Sequence, residues 1–140
     1  PENAIAAMTA IKQATTGSVA SVSQIAALAA AQGSDDCIED FKKIYLERRK
    51  LFADGLTSMG LSYSEPRGGF FFWADSSSTN LRALELSYLL LKEGKVLIFP
   101  GTAFGENWSD FLRITILQPT HVLQQAIERM TPVVKQYTKG

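Results

Sequence analysis

"FLRITILQP", residues 111–119, decides how the rest of the chain is read. Strand alternation puts Leu112, Ile114 and Ile116 on one face and Phe111, Arg113 and Thr115 on the other. The first face is apolar enough for a buried strand. The second carries Arg113, a permanently charged, planar fork of donors that matches a carboxylate bidentately. Arg113 is then either a carboxylate anchor or a solvated or salt-bridged strand residue. Beyond the exit turn at Pro119, Thr120 is expected to cap a last helix with Val122, Leu123, Ala126, Ile127, Met130 and Val134 facing inward.

Immediately upstream, "KVLIFP" (95–100) reads as a strand that runs into "PGTAFG" (100–105). Pro100, Gly101 and Gly105 bend the chain there, and glycine lets backbone approach a ligand closely. The glycine spacing and lysine of a phosphate loop are absent. Further back, "PRGGFFFW" (66–73) sets paired glycines before an aromatic strand. Alternation buries part of that run and leaves one of Phe70, Phe71 or Phe72 free to line a pocket.

The helices follow from their punctuation. Ser34 is placed to cap a helix of about 25 residues whose first turns hold Asp35, Asp36, Glu39 and Asp40. Its apolar stripe runs through Ile38, Phe41, Tyr45, Phe52, Leu56 and Met59, and Gly60 stops it. "LSYSEP" is a short extended piece, and Thr79 or Asn80 caps a helix that runs through Leu91 to a terminator at Gly94. From residue 34 the order is helix, strand, helix, strand, strand, helix. That order predicts an α/β fold, a small open sheet with helices packed on it.

Residues 1–33 differ from the remainder. They are rich in alanine and hold no aromatic residue. Glu2–Ala14 reads as a helix behind Pro1, and "TTGSVAS" interrupts it. Ser21 and Gln24 have capping-box spacing ahead of "IAALAAA", which ends near Gly33. Helices this small-sided pack closely against a neighbour, so they read as part of an interface or of a further domain. The start at Pro1 has neither an initiator methionine nor a signal-peptide pattern, as though the chain were joined partway through a larger protein; a trimmed terminus is the alternative.

Composition narrows the possible functions. The chain has 140 residues, 46% of them apolar and 20% charged, as in ordinary soluble domains. Fourteen basic and fourteen acidic residues cancel with no basic stripe, so nucleic-acid binding has no electrostatic basis. One cysteine, Cys37, and one histidine, His121, make neither an internal disulfide nor a Cys/His metal cluster. No apolar run reaches the ~18 residues of a membrane span. The expected location is cytoplasmic, with any targeting segment lying upstream of Pro1.

In order, "TTGSVASVSQIAALAA", a long helix containing "RR", "PRGGFFFWAD", "GKVLIFPGTAFG" and "FLRITI" resemble the C-terminal part of class I/II pyridoxal-phosphate-dependent aminotransferases. These share the fold of aspartate aminotransferase (fold type I). The resemblance covers essentially the whole chain, and "PGTAFG…FLRI" is its most specific part. It implies that residues 1–33 are the last helices of a large cofactor-binding domain, with an interface segment, and that 34–140 are the small domain. It implies that Arg113 pairs with the substrate α-carboxylate, with Gly69 and Phe70 on the small-domain wall and "PGTAFG" as a mobile loop beside the site. By the same resemblance Thr16 and Ser18 reach toward the partner subunit's site in a homodimer. The Schiff-base lysine, the acid partner of the pyridine nitrogen and the phosphate cup lie upstream in that family. Lys12, Lys42 and Lys95 match no such motif. The resemblance thus implies transfer of an amino group between an amino acid and a 2-oxo acid by the whole protein, and an inactive chain on its own. A lyase or synthase of the same fold and a non-enzymatic dimerisation or binding module are the alternatives.

Overall fold

The structure is a computed structural model and describes residues 1–138. It divides into two units, Pro1–Glu39 and the part from Asp40 onward. The first unit holds α1 (Glu2–Thr15) and α2 (Ser21–Gln32), and no residue of either helix is buried. The expected capping box at Ser21 is not formed. Ala20 is the N-cap, and the Gln24 side chain donates instead to the Val19 carbonyl at 2.8 Å. That bond satisfies the carbonyl two residues before the helix, and Ser21 is the first helical residue rather than the cap.

α3 (Asp36–Met59) begins within the first unit and continues into the second. It ends as the sequence predicts: Gly60 takes φ +79°, and the Leu61 N–H closes back on Leu56 O at 3.0 Å. Its buried stripe is shorter than expected. Phe52, Leu56 and Met59 are buried and Tyr45 partly so, whereas Ile38 and Phe41 are exposed. A 24-residue helix is about 36 Å long, twice the reach of a five-residue strand, so the sheet cannot cover all of it.

The sheet of the second unit comprises β1 (Ser62–Tyr63), β2 (Phe71–Asp75), β3 (Phe99–Pro100) and β4 (Phe111–Thr115). Their spatial order is β1-β2-β4-β3, every pair antiparallel. β2 and β4 are central, in a register that sets Trp73 opposite Arg113 and Phe72 opposite Ile114. The predicted strand over "KVLIFP" shrinks to Phe99–Pro100. Lys95 takes a left-handed φ of 55° and the Val96 N–H turns back to Leu90 O, so only the end of the segment reaches β4.

α4 (Ala83–Lys92) starts later than expected. The Thr79 hydroxyl closes a turn on Ser76 O at 2.8 Å, and the helix is opened by Glu85, whose carboxylate accepts the Arg82 N–H at 3.1 Å. Gly94 follows the helix for a steric reason: a Cβ there would lie 2.9 Å from Leu90 O. α5 (Thr120–Tyr137) buries Leu123, Ile127, Met130 and Val134, while Val122 and Ala126 are only half-buried; its N-cap is Pro119, not the expected Thr120. These residues join Phe52, Leu56, Leu86 and Leu90 against Phe72, Ala74, Leu112, Ile114 and Ile116 in one core. The fold is thus α/β, with a small open antiparallel sheet whose apolar face is covered by helices.

Candidate carboxylate-binding site

The other face of the sheet carries the residues that alternate with the core. Leu112, Ile114 and Ile116 are buried as the sequence requires, and Arg113 stands half-buried on the opposite side. Its guanidinium carbon lies 3.7 Å from the centroid of the Phe71 ring and 4.5 Å from that of Phe104. The salt-bridged reading of Arg113 does not describe this arrangement. The group forms no ion pair and donates no hydrogen bond among the described residues; aromatic faces hold it. Cation–π contact fixes the cation without using its N–H donors, which leaves the fork chemically available.

Phe71 comes from β2 and so from the "PRGGFFFW" run. Of the three phenylalanines offered by sequence, Phe71 shares the arginine's face, while Phe72 is fully buried in the core. Phe70 is half-buried, 6.2 Å from the Tyr45 ring of α3 and 4.5 Å from Phe71. It therefore supports Phe71 rather than touching the guanidinium. Gly69 takes φ +68°, which glycine alone adopts without strain, and a Cβ there would meet nothing within 4 Å.

Phe104 arrives from "PGTAFG", which folds as a 3-10 turn over Gly101–Phe104 and is followed by a second, Glu106–Trp108. Gly101 is required by close approach: a Cβ would meet Trp108 O, with Trp108 Cβ at 2.8 Å and Phe111 O at 2.9 Å. Gly105 is required by its φ of +141°. The turns lean on an aromatic cluster of the same sheet face. Trp73 meets Phe104 edge-on at 5.9 Å and Trp108 edge-on at 5.4 Å, and stacks on Phe111 at 5.9 Å. Two rings flank the guanidinium and leave it half-buried, a setting in which a charge-assisted hydrogen bond is stronger than in bulk water.

Two residues that sequence reasoning passed over tie α3 to segments flanking the central strands. Arg48 of α3 donates to Leu117 O at 2.8 Å, tying the helix to the end of β4. Arg49 donates to Gly69 O at 3.4 Å, tying it to the turn before β2. The only signal was the bare pair "RR", with nothing in its spacing to name carbonyl partners 20 and 69 residues away. Thr16 and Ser18 belong to the first unit, where the Thr16 hydroxyl donates to Lys12 O at 3.1 Å. His121 and Cys37 are exposed. Among the described residues no cluster fit for a metal ion occurs, and no helix is long and apolar enough to cross a membrane.

Comparison with known proteins places the chain by class. It belongs to the family of class I and II aminotransferases, whose family model matches residues 1–130. An aspartate aminotransferase of Pyrococcus horikoshii is 33% identical over 133 residues, 93% of this chain and 34% of that protein. Aromatic-amino-acid aminotransferase 2 of Thermococcus litoralis is 34% identical over 99 residues, 71% of this chain and 25% of that protein. Among solved structures, a mutant of Thermus thermophilus aspartate aminotransferase superposes with a TM-score of 0.85 at 29% identity, over 95% of this chain and 37% of that one. The chain thus spans about a quarter to a third of the length of the curated relatives it matches.

Family membership implies pyridoxal 5'-phosphate. A site for it needs an uncommitted lysine amine opening into a cavity beside the carboxylate anchor. Lys95 lines a cavity of about 550 Å³ with Phe99, Thr115 and Arg129, but Arg113 does not line it. The Lys95 amine donates to Lys92 O at 2.7 Å, and that of Lys12 to the Thr16 hydroxyl at 3.3 Å. The described residues do not by themselves fit the cofactor.

Proposed function

We propose that this chain is the substrate-recognising C-terminal part of a pyridoxal-phosphate-dependent amino-acid aminotransferase, which exchanges the amino group of an amino acid for the oxo group of a 2-oxo acid. Arg113 receives the substrate α-carboxylate. The observation that carries this reading is the guanidinium on the outward sheet face, held by Phe71 and Phe104 with no acceptor among the described residues. A planar fork with its donors unspent is complementary to a carboxylate approaching in its plane. Gly69 and Phe70 form the wall behind that position, and Arg49 holds the Gly69 carbonyl from α3.

The lysine and the phosphate cup belong, in this reading, to a large domain whose last helices are residues 1–33; residues 34–140 are the small domain. Thr16 and Ser18 then reach the neighbouring subunit's site in a cytoplasmic homodimer. The exchange has no net redox change, so no further electron carrier is required. This chain's part is to bind, orient and partly desolvate the carboxylate end of the substrate.

The test is Arg113→Lys in the full-length protein, assayed for amino transfer with an amino acid and a 2-oxo acid. Replacing a bidentate fork with a point charge removes a hydrogen bond to a charged group, about 1.5–3 kcal/mol, or roughly 10- to 100-fold in kcat/KM. Unchanged kinetics would make the arginine structural. Amino transfer by the 140-residue chain alone would refute the assignment of the lysine to another part of the protein.

A further inference from the structure

We propose that Phe104 is a positioning residue for carboxylate recognition: its ring, carried on the 101–108 turns, holds the Arg113 guanidinium against Phe71 and so sets the plane in which the fork is offered. The proposal rests on the reading of Arg113 as a carboxylate anchor and adds the element that orients it.

Three observations carry it. The first is the double contact: rings at 3.7 and 4.5 Å, from two different elements, flank one cation that lacks any other partner among the described residues. With Phe71 alone the guanidinium would keep one ring contact and the freedom to swing about its long stem. The second is the placement of Phe104. It is a large apolar side chain, 44% exposed, so core burial does not account for its position. Its ring contacts are Arg113 and, edge-on, Trp73.

The third is the construction of the turns that deliver it. Gly101 is pressed against Trp108 and Phe111, and Gly105 adopts a conformation that side-chain-bearing residues rarely take. The backbone on both sides of Phe104 is therefore fixed by sterics that have nothing to do with the ring itself. Trp108 packs on Trp73 and Phe111, which anchors the far end of the turns to β2 and β4. A segment held this closely, carrying an exposed ring onto an unpaired cation, is built to place that cation. It also makes the fork's orientation depend on the turns: displacement of residues 101–108 leaves the guanidinium with Phe71 alone.

The experiment uses the 140-residue chain with arginine side chains labelled with 15N, comparing the parent with Phe104→Leu, Phe104→Tyr and Arg113→Lys. The last of these identifies the Arg113 Nε–Hε signal. In the parent, ring currents from two phenylalanines shift that signal away from those of exposed arginines and the flanking rings slow rotation about Nε–Cζ. Phe104→Leu, which keeps apolar bulk without a ring, is expected to lose much of the shift and speed the rotation; Phe104→Tyr is expected to restore both. An Arg113 signal indifferent to Leu at 104 overturns the proposal.

Propionate is then titrated into each variant and followed at the same signal, with ethylamine as the carboxylate-free control. Losing one partly exposed cation–π contact is expected to weaken propionate binding about 2- to 5-fold in Phe104→Leu and little in Phe104→Tyr. Equal propionate affinity in the parent and Phe104→Leu also overturns the positioning role. A parent signal that is ring-dependent yet unmoved by propionate defeats the carboxylate reading of Arg113, and the positioning role falls with it, while the clamp itself is shown to exist. The two failures are thus told apart by which signal is silent.

Discussion

Gly101→Ala examines the support beneath the site, and its size follows from three contacts. Gly101 does not have a positive φ, so alanine is compatible with its backbone, and only the added methyl group matters. That methyl would meet Trp108 O, with Trp108 Cβ at 2.8 Å and Phe111 O at 2.9 Å. Two of the three are backbone atoms and cannot rotate away. Relief requires moving the 108–111 segment, and with it the start of β4.

Overpacking of this kind costs about 1–3 kcal/mol. The loss of unfolded-state freedom on replacing glycine returns roughly 0.4–1 kcal/mol. With unyielding backbone on two sides the upper part of the first range applies, leaving a net destabilisation of about 2 kcal/mol. In a unit of about one hundred residues that lowers Tm by roughly 10 °C.

The assay is thermal unfolding followed by far-UV and near-UV circular dichroism. The chain has two tryptophans, Trp73 and Trp108, in edge-on contact at 5.4 Å, so their coupled signal reports the turn directly. Gly68→Ala is the matched control, since a Cβ there meets nothing within 4 Å. The expected result is a lower Tm and a diminished tryptophan couplet in Gly101→Ala, with both retained in Gly68→Ala. A Gly101→Ala variant that keeps both within error would refute the steric account of the turn.

Two further outcomes test the fold. Phe72→Ala removes a ring that is fully buried between Phe52 and Tyr63, and is expected to cost about 3–5 kcal/mol in urea unfolding. Arg82→Ala breaks the 2.7 Å ion pair with Asp110, whose partners are 67% and 38% exposed, so the same measurement is expected to change by less than about 1 kcal/mol.

The core was legible because strand alternation and helix periodicity are local. Leu112, Ile114 and Ile116 are inside, and Arg113 is outside, for the reason visible in nine residues of sequence. α5 followed from its spacing in the same way, and the stop of α3 from Gly60. Misreadings fell where a local signal met a distant one. Thr79 has the chemistry of a cap, but its hydroxyl is used by the preceding turn, so α4 starts at Ala83. "KVLIFP" has strand composition, but Lys95 and Val96 fold back onto α4 before β3 begins. Ile38 and Phe41 continue a helical stripe with the right period, yet both are exposed.

By itself the sequence determined most of the elements, the buried faces of β4 and α5, the family, and the presence of a lone strand arginine facing away from the core. Those properties depend on residue order over a few turns or a few pleats. Only the tertiary structure decided what holds that arginine. Phe71 lies 42 residues before it and Phe104 nine residues before it in a different element, and both reach it because antiparallel pairing and two glycine-dependent turns fold them onto one sheet face. Cation–π contact depends on distance and orientation in space, and no spacing along the chain encodes either.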